Sequence, residues 1–274
     1  MTFSIVATDG TAWGVAVASK FLAVGAAVPA ARAGVGAIAT QALANLAYRP
    51  DGLALLTEGG EAAAVLGALT SADEQREHRQ AGIVDAEGSA ATYTGSACHD
   101  WAGGVSGDGY AIQGNILTGA DVVAEMERAW LASDPASPLG RRLLAALSAG
   151  DAAGGDRRGR QSAALLVVTP DGGYGGGSDV YADLRVDDHA DPVPELIRLL
   201  DLHDIYFTKP DPDAALSLDG SLADEVRDRL RRLGHVESDL DAALASWAGV
   251  ENYEERLMPG KIDPVVLEQL RKLS

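Results

Sequence analysis

The chain of 274 residues is 47% hydrophobic and 23% charged, enough apolar side chain for a real core and unlike a disordered segment. Its 22 Lys and Arg against 40 Asp and Glu leave a net charge of -18, which repels a nucleic acid backbone and an anionic bilayer, so neither nucleic acid nor membrane is expected as a partner. A single cysteine, Cys98, excludes an intramolecular disulfide framework and any multi-cysteine zinc site.

The first residues carry no basic cluster ahead of an apolar run and no cleavage pattern, and Lys20, Pro29 and Arg32 break the apolar stretch 11–48 into pieces too short to span a bilayer. A cytoplasmic location is the expectation. Residues 2–8 alternate, with Thr2, Ser4, Val6 and Thr8 on one face and Phe3, Ile5 and Ala7 on the other. Asp9-Gly10 then signals a hairpin into a strand over residues 13–19. A third strand is expected at 35–40, with room for a fourth among these early elements, and a helical region from near Pro50. Its Leu53, Leu55, Leu56 and Ala63, Val65, Leu66, Leu69 form two helices parted by Gly59-Gly60.

Ile83-Val84 and residues 90–93 read as a second hairpin turning through 85–88. Residues 110–115 read as a strand end. Thr118 and Asp121 form a capping-box pattern for a helix carrying Val122, Val123, Met126 and Trp130, and Leu139, Leu143, Leu144 and Leu147 mark another helix ending by Gly150. A Gly- and Arg-rich loop, 154–160, delivers a strand at 163–168. A glycine-rich turn at 172–177, a strand at 180–186 and a helix opened by Asp191-Pro192 follow. The Pro- and charge-rich segment 208–213 reads as a linker. The expected domains are therefore 1–210 and a helical unit, 211–274, in which Ser221 caps a helix bearing Leu222, Val226, Leu230 and Leu233.

This order predicts an α+β fold with two antiparallel sheets between helix layers rather than a Rossmann alternation. No GxGxxG follows a strand and no Walker motif is present, so nucleotide-phosphate chemistry has no support and no cofactor is implied.

Six blocks carry a family resemblance: Phe3-Ser4-Ile5-Val6-Ala7; Gly14-Val15-Ala16-Val17-Ala18-Ser19; Gly36-Ala37-Ile38-Ala39-Thr40-Gln41; Gln113-Gly114-Asn115; the run 153–165; and Asp183-Leu184-Arg185-Val186-Asp187-Asp188-His189. Together they resemble the bacterial and archaeal domain-of-unknown-function family numbered 1028, over roughly residues 2–208. That family is similar to the N-terminal nucleophile hydrolases, which implies a four-layer αββα sandwich. Residues 214–274 resemble the small peptidoglycan-binding-like helical domain that often follows it.

An N-terminal nucleophile hydrolase uses the hydroxyl or thiol of its first residue as nucleophile and its own α-amine, with a pKa near ~7.7–8, as base. Removal of Met1 would place Thr2 there; the opposing reading is a strand-edge Thr2, with Ser4 on the same strand face as the motif residue. Lys20, the only lysine before Lys209, follows the second strand where related hydrolases place a cation, or else is a solvated strand end. The resemblance implies that Asp156 and Ser162 orient the nucleophile. Arg157, Arg158 and Gln161 in the same loop can clamp a carboxylate. Gln113, Gly114 and Asn115, read as preceding a helix N-terminus, offer backbone N–H groups for an oxyanion, and Gln41 counts with them as substrate-binding.

Asp187, Asp188, His189 and Asp191 hold ligand types for a divalent cation, but helix capping by Asp191 and pairing with Arg185 is the preferred reading, so no metal site is expected. Cys98 beside His99 lacks a third orienting group and ranks behind. The expected activity is hydrolysis of an amide bond in a small metabolite, with an anionic one accommodated by the arginines. The alternative is a catalytically inactive binding or scaffold protein that keeps the fold. Homo-oligomerisation is left open.

Overall fold

The computed structural model describes residues 2–274. The chain divides into two compact units, one ending at Leu199 and the other running from Leu200 to Ser274. In the first unit the order is β1 (Thr2–Thr8), β2 (Trp13–Ser19), α1 (Val24–Ala27), β3 (Pro29–Arg32), β4 (Gly36–Ala42), α2 (Tyr48–Thr57), α3 (Ala62–Ser71), β5 (Arg79–Asp85) and β6 (Ala90–Thr94). Then come β7 (Gly103–Gly107), β8 (Tyr110–Asn115), α4 (Asp121–Ala132), α5 (Leu139–Ala152), β9 (Ser162–Val168), β10 (Val180–Val186) and α6 (Pro192–Phe207), which crosses into the second unit.

The strands form two antiparallel sheets. One has six strands in the order β10-β9-β2-β1-β8-β7, the other four in the order β3-β4-β5-β6. β1 is therefore an interior strand, hairpinned to β2 and paired on its other side with β8, Thr2 opposite Asn115 and Ser4 opposite Gln113. The alternation of β1 decides what each face does. Val6 joins Val15, Val17, Ala37, Ala39, Val84 and Ala111 in a core between the sheets, so Thr2 and Ser4, on the same face, point there too. The outer face of the smaller sheet carries Ile38 and Ile83, which pack under Leu53, Leu56, Val65, Leu66 and Leu69 of α2 and α3. α4 and α5 lie against β8, β1 and β2. A side chain at Gly14 would come within 2.7 Å of Leu143 of α5, so the glycine permits that close approach.

Several expected boundaries move. β3 is the fourth early strand. β7 was hidden because three of its five residues are glycines on a half-exposed edge, which removes the apolar period. α4 starts at Asp121 with Ala120 at its N-cap and no side-chain cap; the Thr118 hydroxyl donates instead to the Ala153 carbonyl at 3.4 Å. α5 runs two residues past Gly150, to Ala152.

The second unit contains β11 (Leu216–Ser217), α7 (Gly220–Arg232), α8 (Leu240–Glu251), β12 (Lys261–Ile262) and α9 (Pro264–Leu273). Val226, Leu230, Leu244, Trp247, Val266 and Leu270 form its core, and Ile205 and Tyr206 from the end of α6 pack against it. Those contacts explain why the division falls inside α6 and not at the 208–213 segment. Asp219 rather than Ser221 holds the N-cap position of α7. The buried Arg256 pairs with Asp263 at 2.6 Å and donates to the carbonyls of Asp204 and Ile205, each at 2.6 Å. No helix among the described residues is long and apolar enough to cross a membrane.

Gly82 in β5 faces the other sheet, and a Cβ there would sit 2.1 Å from Gln113 Oε1. Because Gln113 is fully buried and hydrogen-bonded, Gly82→Ala is expected to cost about 2 kcal/mol, a fall in Tm of roughly 4–8 °C. Thermal denaturation followed by circular dichroism checks this, and an unchanged Tm would show that the two sheets are not locked at this point.

Candidate active site

Polar residues on the facing surfaces of the two sheets join in one buried network near the start of β1. Ser4 Oγ donates to Gln41 Oε1 at 2.7 Å and accepts from Gln113 Nε2 at 2.7 Å. Gln41 Nε2 donates to Gln80 Oε1 at 2.8 Å, and Asn115 Nδ2 donates to the same oxygen at 2.9 Å. Gln80 Nε2 donates in turn to the Gly114 carbonyl at 2.7 Å and to Thr94 Oγ1 at 2.9 Å, while Thr92 Oγ1 donates to Gln113 Oε1 at 3.2 Å. Ser4, Gln80 and Gln113 are 0% exposed and Gln41 1%. Side chains this buried have to satisfy one another, and these do.

That placement corrects part of the sequence reading. Gln113, Gly114 and Asn115 do not directly precede a helix N-terminus: they are the last three residues of β8, all paired with β1, and Gln113 and Gly114 also with β7. Their backbone belongs to the sheet. Ser4, Gln41 and Gln113 spend side-chain hydrogen bonds within the network.

Thr2 stands at the edge of this network. It is 5% exposed, its Oγ1 shares a 3.1 Å hydrogen bond with Ser19 Oγ, and its carbonyl accepts from Gln41 Nε2 at 3.4 Å. Beyond Ser19 begins a second neighbourhood. Asp156 accepts from the backbone N–H groups of Lys20 and Arg158, at 2.7 and 2.8 Å, and pairs with the Arg158 guanidinium at 3.3 Å. Ser162 Oγ donates to the Phe21 carbonyl and accepts from the Val24 N–H at 3.1 Å. The loop thus braces the exit of β2. Lys20 Nζ donates to the Arg160 carbonyl at 3.2 Å and not to Thr2, so it braces the loop as well. A cavity of about 390 Å³ lies here, with Phe3, Ala18, Ser19, Asp151, Asp156 and Arg160 in its walls. The candidate residues therefore fall into two neighbourhoods joined through Thr2 and Ser19.

The remaining candidates separate. Arg158 is committed to Asp156, and Arg160 to Asp151 at 2.7 Å and Asp191 at 3.4 Å. Exposed Arg157 keeps its guanidinium without a partner among the described residues, while its N–H donates to the Ile116 carbonyl at 3.2 Å. Gln161 Nε2 donates to Asp188 at 3.2 Å. Arg185 pairs with Asp183 at 2.8 Å rather than with Asp191, and His189 Nδ1 accepts from the Asp191 N–H at 3.0 Å. No group of three or more metal-ligating side chains gathers among the described residues. Burial pushes the Cys98 thiol up, and its Sγ donates to the Arg79 carbonyl at 3.4 Å, so Cys98 and His99 do not form an activated thiolate pair. Farther along β5, the Arg79 guanidinium, 2.8 Å from Asp73, holds that carboxyl below the usual carboxylate range.

Ser19 and Gln80 were missed as site residues. The signal was present in outline: Ser19 is the polar residue ending the apolar strand β2, and Gln80 stands just before the apolar run of β5. The Met1 removal on which the nucleophile reading depends falls on a residue outside those described.

The family model described as "Family of unknown function (DUF1028)" matches residues 2–196, and one described as "Putative peptidoglycan binding domain" matches residues 206–270. Among solved structures, the DUF1028 protein SPO2555 from Silicibacter pomeroyi is 32% identical, with a TM-score of 0.66, over 82% of this chain and 92% of that one. Anbu (ancestral beta-subunit) from Yersinia bercovieri is 12% identical with a TM-score of 0.35, over 76% and 98% of the two chains. No curated protein matches.

Removing the Asp156 carboxylate orphans the Lys20 and Arg158 N–H groups. Asp156→Ala is therefore expected to lose about 1–3 kcal/mol and to expose the loop to trypsin after Arg157, Arg158 or Arg160. Timed proteolysis with mass mapping tests this; cleavage no faster than in wild type would mean that Asp156 does not hold the loop.

Proposed function

The chain belongs to the family of unknown function DUF1028, and from that premise we propose that it is a hydrolase of the N-terminal nucleophile type, acting on an amide bond in a small substrate through Thr2. The observation that carries the reading is the position of Thr2: the first residue of an interior strand, its hydroxyl bonded to Ser19, between the buried amide network and the cavity beside the 156–162 loop. The packing of helices on the outer faces of two facing sheets agrees with the four-layer αββα arrangement of such hydrolases.

The chemistry requires cleavage of the Met1–Thr2 bond. The Thr2 hydroxyl oxygen then adds to the amide carbon while its proton passes to the Thr2 α-amine, whose ordinary pKa near ~7.7–8 suits a base at neutral pH. Collapse of the tetrahedral species breaks the C–N bond, the ammonium returns the proton to the departing amine, and an ester is left on Thr2. Water, deprotonated by the same amine, hydrolyses that ester and regenerates the hydroxyl. Ser19 orients the hydroxyl, and the loop held by Asp156 and Ser162 fixes the strand end that carries Ser19. Exposed Arg157 does not line the cavity beside the loop and has no part in the step. The second unit acts as a helical recognition module, and a cytoplasmic location is retained as part of the proposal.

Intact-mass measurement is expected to give a chain lacking Met1. Thr2→Ala is expected to lower hydrolysis of a responsive amide, found in a panel of small amides, by about three orders of magnitude or more without changing Tm by more than a few degrees. Retained Met1, or full activity in Thr2→Ala, would sink the assignment and favour the inactive binding-protein reading.

A further inference from the structure

On the far side of Thr2 from Ser19 a second cavity, of about 290 Å³, is lined by Ala42, His78, Cys98, His99, Asn115 and Ile116, with Leu43 and Ala97 completing its wall. Asn115 ties it to the proposed nucleophile, because Asn115 and Thr2 are directly opposed in the β1–β8 ladder and opposed residues share a sheet face. Loop 95–101 closes it by backbone bonds: Ala97 N–H to the Glu77 carbonyl at 2.7 Å and Ile116 N–H to the His99 carbonyl at 2.9 Å.

Three features of the lining point to what it takes. No Asp or Glu is among the lining residues, although the chain has 40 of them. Two imidazoles are present, together with an amide whose one N–H goes to Gln80 and whose second has no partner among the described residues. Two of its residues, Ala42 at φ 67° and Ile116 at φ 51°, hold left-handed backbone conformations, which cost a non-glycine residue about 1–2 kcal/mol each and concentrate where a site imposes them. The volume, about 290 Å³, lies just below the ~300–1,000 Å³ range of ligand pockets, which suits a small ligand.

Resting on the reading of Thr2 as nucleophile, we propose that this cavity receives the acyl half of the substrate, a short chain ending in a carboxylate that His78, His99 and Asn115 hydrogen-bond, so that the substrate class is a mono-amide of a short dicarboxylic acid. The amine half then leaves on the Ser19 side, toward the larger cavity.

Cys98 is the chain's one thiol and provides a readout of occupancy that does not depend on turnover. The rate of Cys98 modification by a disulfide reagent is measured with and without succinate, in wild type and in His99→Gln. Succinate at ten times its half-protecting concentration is expected to slow the wild-type reaction about tenfold, as for a site that is about 90% occupied, with protection largely lost in His99→Gln. Propionamide at the same concentration is expected to leave the rate unchanged. Equal rates with and without succinate in wild type would overturn the proposal whatever the variant does, and so would equal protection by propionamide. Because the same measurement in Thr2→Ala should still show protection, a failed acyl pocket and a failed nucleophile give different results.

Discussion

The hydrogen-bonded chain Thr92–Gln113–Ser4–Gln41–Gln80–Asn115 is the constraint on which the rest of the first unit depends. It is made of uncharged amides and hydroxyls with little access to water, so each member left without a partner would cost about 1–3 kcal/mol. Residues from β1, β4, β5, β6 and β8 take part, which means that the network sets both the register within each sheet and the alignment between the sheets. A slip of one residue in β1 would turn Thr2 and Ser4 to the helix side and put Phe3 among the glutamines. The apolar core between the sheets is built from Val and Ala, which pack well but specify register weakly; the amides supply the specificity.

The site inherits its geometry from that constraint. Thr2 is held at the network's edge by the Ser19 hydroxyl on one side and the neighbouring Asn115 on the other. Each of these lines its own cavity. On the proposed reading of Thr2, the two cavities give a place to each half of a cleaved amide. The 156–162 loop contributes from outside the sheets: Asp156 and Ser162 bond backbone groups of residues 20–24 and so position the end of β2.

Much of this could be read in the sequence where the signal is local. The β1–β2 hairpin follows from strict alternation and Asp9-Gly10, and α2 and α3 from leucine spacing around Gly59-Gly60. The polar residues that ended up at the site, Thr2, Ser4, Gln41, Gln113 and Asn115, stood out because each interrupts an apolar strand. What the sequence could not disclose is who bonds whom. Ser4 meets a residue 109 positions away, Gln41 is paired to Gln80 across β4 and β5, and only the assembled sheets show that the glutamines serve one another. Lys20 shows the same limit: its place after β2 fitted either a catalytic cation or a solvated strand end, and only the structure shows that its ammonium donates to the Arg160 carbonyl.

Acylation by a β-lactone, a small electrophile that opens on a hydroxyl nucleophile, followed by peptide mapping, tests the central claim most directly. The account predicts one acyl group per chain, on the peptide whose first residue is Thr2, and none on the same peptide from protein that retains Met1. An unmodified Thr2, or a label found instead on Ser4 or Cys98, would contradict it.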